Sequence, residues 1–593
     1  KYEDGVVVSL LRRSLTFSIS YTHLLETDGR DEIWINNSQQ VKRIDAYICD
    51  VYPSVILALR KMAGYMYLVL KPSLHLSDKS GKEIPKIIRN QVKNEILGYQ
   101  HNKEFNAALD DWRKRIFPEA DKNDSFTEYE FPLKSGSHFE FKIRRVPIFG
   151  GIKSVTGSGT FDPPRIAKQR GVLLSEPALL FSNRQSSGYV KDTHPLRGII
   201  SNRPYDFSLT SQGFSPGINI GVVCPENDGA KFLGFLTRGQ YSQKPASTEQ
   251  DYLIEYPSFS NAFGLPLRLP QPSDADWITI SEIDKTLDDK AGTRELARIL
   301  TTSIDSLSAS SKPHVILLYI PARWKRFRQY QDQDDSFDLH DFVKAYSVQK
   351  GVATQFIEED TLSNSYQCRI WWWLSVAIYA KSMRTPWVID GLDTDTAYVG
   401  LGFSVRENQE RGKNVVLGCG HIYNSHGEGL RYRLSPIQEP ILIRGNPFMS
   451  YEDSRRLGET VRQLFYESSM KLPRRVVLHK QTYFRKEEME GLRAGLSGIN
   501  SVEMLEINYD SALRYVSSIR LADGKFDDDR FPIRRGPALK IDDYSALLWV
   551  HGVTDAVNPK LKYFKGKRRI PTPIRVTRYA GNSDIVTIGN EIL

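Results

Sequence analysis

Four polar side chains between residues 340 and 381 are of the types that hold an anion: His340, Lys344, Gln355 and Lys381. His340 and Lys344 stand four apart, so on a helix they project from one face. Lysine supplies point charge and glutamine a fixed donor, and together they suit a phosphate group. Taken singly, each has a plainer reading. An exposed helical lysine is ordinarily solvated, and a lone histidine four residues before it carries no function by itself.

The carboxylates offer less. Asp390, Asp393 and Asp395 fall in a loop that contains Gly391 and precedes a strand, where short acidic side chains form turns and caps. His421 and His426 lie close together without an acidic or thiol partner at ligand spacing, and read as strand-end residues. No residues are assigned to a metal, and there is no Walker-type phosphate loop, HExxH pair or nucleophile elbow. Positive charge is concentrated late in the chain. Lys+Arg number 80 against 71 Asp+Glu, giving +9, and eight basic residues with no acidic one lie between Lys560 and Arg578. Such a strip, with Lys567, Arg575 and Arg578 as its candidate contacts, neutralises phosphates without reading sequence. The plainer reading of Lys565 to Arg569 is a solvated basic loop.

The elements that must position the four polar groups are legible from Lys231 to Trp387. Phe232 to Leu236 is apolar, Ser281 to Ser306 is helical in character, and His314 to Ile320 is a continuous apolar strand of the kind buried on both faces. A helix is expected from about Ser336 to Lys350, with Leu339, Phe342, Val343 and Tyr346 on its buried side and Gly351 stopping it. A strand from Val352 to Ile357 and a helix ending near Lys381 complete a βαβα order, which implies a parallel sheet flanked by helices. Strands Thr396–Val405, Asn414–Tyr423 and Leu430–Ile437 follow. Helix Tyr451–Ser469, strand Arg475–His479, helix Lys486–Leu496 and strand Val502–Asn508 come next, the order of an RNase H-like fold. The first hundred-odd residues read as an α/β module with a strand at Val6–Leu11 and another at Gly64–Leu70. Two helical stripes follow, one on Ile88, Val92 and Ile96, the other on Phe105, Leu109, Trp112 and Ile116. Glycines and prolines from Gly150 to Pro164 mark a boundary.

A chain of 593 residues is too long for one core and implies roughly three to five packed units. With 40% hydrophobic and 11% aromatic residues the composition is that of a globular protein. The longest apolar run, Trp371 to Ala380, is far short of the ~20 residues that span a bilayer. Cys49, Cys224, Cys368 and Cys419 are scattered, which excludes a zinc knuckle or disulfide framework and fits a reducing, cytoplasmic compartment. The start at Lys1 and the stop at Leu593 within a helical pattern read as a covered portion of a longer protein.

The span from His340 to Lys381 resembles the MID domain of Argonaute proteins. There the phrase His-x-x-x-Lys, then Ala-Thr-Gln-Phe, then a lysine about one helix later forms the pocket for a guide strand's 5′ phosphate. Here it runs His340 to Lys344, then Ala353-Thr354-Gln355-Phe356, then Lys381 ahead of Pro386-Trp387. Many members have tyrosine in the first place, and His340 looks like the variant of short prokaryotic Argonautes. Tyr398 to Ser404 resembles the first strand of the PIWI domain and Arg475 to Gln481 its fourth. In cleaving members each strand carries an aspartate, and two Mg²⁺ ions are held between the carboxylates. Gly402 and Gln481 occupy those positions, and neither is a ligand suited to a hard cation. The strip from Lys562 to Arg578 resembles the late PIWI strand that follows the guide backbone. Leu173 to Phe181 with His194 to Gly198 resembles the linker into the MID domain, and Asn106 to Phe117 the APAZ region of short Argonautes, with no room for a PAZ domain.

The resemblance implies an α/β multidomain chain, with a Rossmann-like MID domain and an RNase H-like PIWI domain behind an α+β APAZ/N-like region. The expected divisions are 1–165 (APAZ), 166–230 (linker), 231–387 (MID) and 388–593 (PIWI, its C-terminal end not covered). It implies a short 5′-phosphorylated guide RNA, a complementary DNA target, no slicing, and an effector domain or chain of the Sir2 or TIR NADase or nuclease type. That effector would act in defence against plasmids or phage, with oligomerisation on activation. Mg²⁺ at the guide 5′ end is the implied cofactor, and NAD would belong to the effector. The terminal carboxylate that helps hold that metal and the fourth catalytic position lie beyond the covered residues. Two other readings stay open at this point: a slicing nuclease with displaced ligands, and a binding module that only occludes its target.

Overall fold

The structure, a computed structural model, describes residues 2–22, 25–36, 40–44, 47–62, 65–78, 84, 88–89, 102–121, 127–132, 136–143, 152–154, 171–207, 216–331, 336–406, 415–423, 429–436, 441–443, 446–510, 513, 515, 518–528, 533–558, 562–564 and 571–593. Helix α1 (Tyr2–Thr22) opens the N-terminal module and buries Leu15 and Ile19. Val6 to Leu11, expected as a strand, belongs to this helix. Three successive valines favour a strand locally, but the four-residue recurrence of Leu15 and Ile19 extends one apolar stripe, and burial outweighs propensity. Strands β1 (Tyr47–Met62) and β2 (Tyr65–Asp78) form a long antiparallel hairpin, paired from Cys49–Asp78 to Met62–Tyr65. Because side chains alternate, Val55 and Leu57 join a core with helix α2 (Asn102–Ile116) through Trp112 and Ile116. Ala58 and Val69 on the other face pack with Leu513, Ile533, Leu539, Leu547 and Trp549 from the far end of the chain. The helical stripe expected at Ile88, Val92 and Ile96 lies mostly outside the described residues, as does the turn-rich boundary apart from a short strand at Ile152–Ser154.

Strand β3 (Gly171–Leu173) and helix α3 (Pro195–Ser201), capped by the His194 side chain, belong to the connecting segment. A parallel sheet follows. Its strands are β4 (Ile218–Pro225), β5 (Trp277–Ile280), β6 (Val315–Ile320) and β7 (Ala353–Glu358), with β4 between β5 and β6, and β7 at the edge. All its pairings are parallel. Helices α4 (Gly229–Arg238) and α7 (Gln367–Lys381) cover one face, and α5 (Asp289–Ser310) and α6 (Leu339–Gln349) cover the other. Every residue of β6 is buried, as its unbroken apolar run requires. Three particulars differ from expectation. β4, central in the sheet, lies within the span read as linker, 166–230. Ser336–Asp338 is a short strand paired with Gln329–Gln331, so α6 starts later, at Leu339. Phe342 is 41% exposed rather than buried, because its ring meets Phe337 of that strand pair outside the core.

The third unit is a ten-stranded sheet. Strands β8 (Thr396–Arg406), β9 (Val415–Tyr423) and β10 (Gly429–Pro436) are antiparallel. Helix α8 (Tyr451–Ser469), strand β11 (Arg475–Lys480), helix α9 (Lys486–Gly495) and strand β12 (Ser501–Tyr509) follow, with β8, β11 and β12 parallel. The sheet continues through strands β13 (Pro537–Asp542), β14 (Ser545–Leu548) and β15 (Ile574–Ala580), in the order β12, β15, β14, β13 and then β3. The connecting segment is therefore woven into this sheet. Helix α10 (Ile585–Ile592) packs on the face opposite α8 and α9. α8 and α9 approach until Gly491 and Gly495 touch the carbonyls of Tyr451 and Arg455, and a methyl group at either glycine would overlap those oxygens. Gly495→Ala is expected to cost about 2–4 kcal/mol, read as a lowered urea midpoint.

Candidate nucleic-acid interface

The parallel sheet ends at β7, whose outer edge has no strand beside it among the described residues, so alternate carbonyls face away from the sheet. α6 leads into β7 from one face and α7 leaves it on the other. Asp338 caps α6 by accepting from the Asp341 N–H at 3.0 Å, and Gly351, at φ 68°, turns the chain back into the sheet. Lys344 and Lys381 thereby reach the same edge from opposite sides. Both donate to the Thr354 carbonyl, Lys381 at 2.8 Å; Lys344 also reaches the Thr354 hydroxyl at 3.3 Å, and Lys381 the Gln355 Oε1. Gln355 donates from Nε2 to the Phe356 carbonyl at 2.9 Å. Among the described residues no carboxylate pairs with either lysine.

The electrostatics follow from that geometry. Burial lowers the pKa of Lys344, and burial together with the charge of Lys344 lowers that of Lys381 to about 7. His340 lies one turn earlier on the same helix face. Its ring is 5.2 Å from that of Phe356, and its Nδ1 is 3.3 Å from Asp341. Asp338, His340 and Asp341 could bring ligand atoms within 4.8 Å of one another, but Asp338 is committed to the helix cap. The structure thus brings Lys344, Gln355 and Lys381 to one point and leaves His340 at its margin. Thr354, the oxygen donor they share, acts mainly through its backbone, for which a side-chain pattern gives no signal.

Gly402 and Gln481 also come together. β8 and β11 run parallel with Leu401 opposite Lys480, so the two positions follow side by side, Gln481 just past the end of β11 and Gly402 where β8 continues beyond it. Both are exposed, and nothing lies within 4 Å of where a Cβ on Gly402 would stand. The neighbouring side chains are buried. Lys480 and Glu488 form an ion pair at 2.7 Å with both side chains fully covered, and Glu488 also accepts from the Met449 and Arg485 amides at 3.0 and 2.9 Å. The Lys480 ammonium lies 4.3 Å from the centre of the Phe484 ring, and burial pulls its pKa below the usual range against the opposing pull of Glu488. His479 is neutral, since burial and the nearby Arg475 push its pKa down to about 4. Glu488 leaves little mark in the sequence. Its only signal is the spacing of a capping box, three residues after Arg485.

Other expected residues fare differently. Asp393 accepts from the Asp395 amide at 3.1 Å and the Thr396 hydroxyl at 2.9 Å, while Asp390 and Asp395 pair with Lys191 and Lys471, each at 2.5 Å. Lys567 lies outside the described residues, as do 565–570 generally. Arg575 and Arg578 do not form one ladder. They are three apart on β15, opposite Asn508 and Leu505, so they project from opposite faces of the sheet. Arg578 donates to the carbonyls of Ser583 and Asp543, the latter at 2.7 Å, which ties it to the strand end.

No protein-family model and no curated protein matches this chain. Solved structures do. An Argonaute of Clostridium butyricum, bound to a guide DNA and a 19-mer target DNA, superposes with TM-score 0.56 at 11% identity, covering 98% of this chain and 82% of that one. An Argonaute of Marinitoga piezophila, in complex with a 5′ OH guide RNA and target DNA, superposes with TM-score 0.52 at 9% identity, covering 98% and 81%. The fold is that of Argonaute proteins, with the parallel sheet in the place of the MID domain and the ten-stranded sheet in that of PIWI. In this frame the buried pair beside Gln481 is structural, and Glu488→Ala, which strands the Lys480 ammonium, is expected to cost about 3–5 kcal/mol by denaturant titration. The double change Gly402→Asp with Gln481→Asp, at open positions, is expected to leave the melting temperature within about 2 °C.

Proposed function

We propose that this chain binds a short guide strand by its 5′ phosphate and pairs it with a complementary target without cutting it. The observation that carries this reading is the convergence of two ammonium groups on the Thr354 carbonyl with no carboxylate partner among the described residues. A phosphate dianion between them would supply the missing charge, and Gln355 a neutral donor. A 5′ hydroxyl, as on the guide in the Marinitoga complex, would leave both charges unmatched. Guide RNA and target DNA remain the assignment, with base pairing reading sequence and the protein reading backbone and ends.

Mg²⁺ at the guide end fits these residues poorly. A hard dication takes about six oxygen ligands, whereas this point offers two cations around one carbonyl, one hydroxyl and one amide oxygen, so the lysines take over the neutralising role. The absence of slicing rests on Gly402 and Gln481, which give no carboxylate where two metal ions would need them. The N-terminal module is read as the APAZ counterpart and an effector, Sir2, TIR or nuclease, as the partner that target pairing activates. Coupling would run through a change in arrangement that the heteroduplex favours. Any NAD would belong to that effector. No helix among the described residues is long and apolar enough to cross a membrane.

Lys344→Glu or Lys381→Glu is expected to lower retention of a 5′-phosphorylated strand at least about tenfold, measured by filter binding. Nucleic acid that copurifies should carry 5′ phosphates on end-labelling; unchanged retention, or strands without the phosphate, overturns the assignment. The Gly402→Asp, Gln481→Asp protein should not cleave a paired target in Mg²⁺, because two carboxylates do not complete a two-metal site.

A further inference from the structure

A phosphate would find the pocket short of one proton. Lys344 comes from α6 and Lys381 from α7, on opposite faces of the sheet, and both are half-buried against one carbonyl oxygen. The groups facing Lys381 are the Thr354 carbonyl and Gln355 Oε1 from β7, both neutral, and Lys344 from α6, with His340 one turn further back. Two like charges so placed raise each other's free energy, and a pocket with no counter-ion can relieve this by releasing a proton. We propose that loading a phosphate-ended strand draws a proton into this pocket, so that the advantage of a phosphate over a hydroxyl end fades as the solution becomes alkaline. The inference rests on the phosphate reading given above and adds a regulation to it.

The sign follows from the two states. Without a ligand the Lys381 ammonium loses its proton around pH 7, because burial and Lys344 disfavour its charged form. With a dianion between the lysines both charged forms are favoured, and the pKa of Lys381 moves up toward that of an ordinary lysine. Between these two values the bound state holds more protons than the free state, so affinity falls as pH rises through the window. Below it both lysines are charged in either state and the linkage vanishes, until the phosphate itself takes a proton near ~6.

The test uses one synthetic RNA with a 5′ phosphate and the same RNA with a 5′ hydroxyl, bound to the intact chain. Between about pH 7 and about pH 8.5 the phosphorylated strand should weaken roughly tenfold and the hydroxyl strand less than about twofold. Calorimetry near pH 8 in two buffers of different ionisation enthalpy should report uptake approaching about one proton per phosphorylated strand. Lys381→Arg keeps its charge at every pH used, so whatever preference for phosphate that chain shows should not vary with pH. No preference at neutral pH overturns the phosphate reading itself. A preference that is insensitive to pH, with no proton uptake by the unaltered chain, overturns this proposal alone. A folded Lys381→Arg chain that keeps the full pH slope does the same, since the proton would then belong to another group.

Discussion

Two ammonium groups against one carbonyl oxygen repel each other, and the arrangement persists only because the frame around it is stiffer than the repulsion is strong. That frame is the parallel sheet. β6 is buried along its whole length, which fixes β7 at the edge and sets the height of the Thr354 carbonyl. α7 is anchored by Trp371, Trp372 and Tyr379, all fully buried, with the Trp372 indole donating to the Ile254 carbonyl at 2.8 Å and the Tyr379 hydroxyl to Asp206 at 2.6 Å. Lys381, at the last turn of that helix, has little freedom to swing into water. A surface pair of lysines would move apart; these are held together, so the pocket either gives up a proton or takes in an anion.

The PIWI-like half treats charge in the opposite manner. Its buried lysine is matched within the protein, by Glu488, and the pair secures the end of β11 against α9 and the Met449 amide. The positions beside it, Gly402 and Gln481, are open to solvent and uncharged. One unit therefore brings together two ammonium groups with no carboxylate partner among the described residues, while the other matches its buried lysine internally and has uncharged residues at the exposed positions 402 and 481. Affinity for a strand end and indifference to its cleavage would follow from that division.

Much of this was legible from sequence, and the exceptions have identifiable causes. Helix Tyr451–Ser469 and the strands beginning at Thr396 and Arg475 fall where the sequence pattern puts them, because the helix carries a buried stripe on one face and the strands are apolar runs that the sheet buries. Val6–Leu11 misled because a run of valines reports local preference, whereas the burial of Leu15 and Ile19 depends on the hairpin beneath them. β4 falls inside the span expected as linker because a short apolar run looks alike in a linker and in a central strand. At the candidate site the side chains were visible and the shared acceptor was not, since a main-chain oxygen leaves no mark in composition. Arg575 and Arg578 are close in sequence, and the twofold alternation of a strand separates them.

The hairpin β1–β2 has a consequence for motion. It is paired over fourteen residue positions, and its two faces enter two different cores, one N-terminal through Val55 and Leu57, the other through Ala58 and Val69 among residues of the last sheet. The first and last parts of the chain thus share a common wall. A wall glued on both sides does not swing like a door. To move the N-terminal module against the last sheet, the protein would have to expose apolar surface on one side of the hairpin, so displacement arising in either part would be carried through it as tilt rather than absorbed as a hinge.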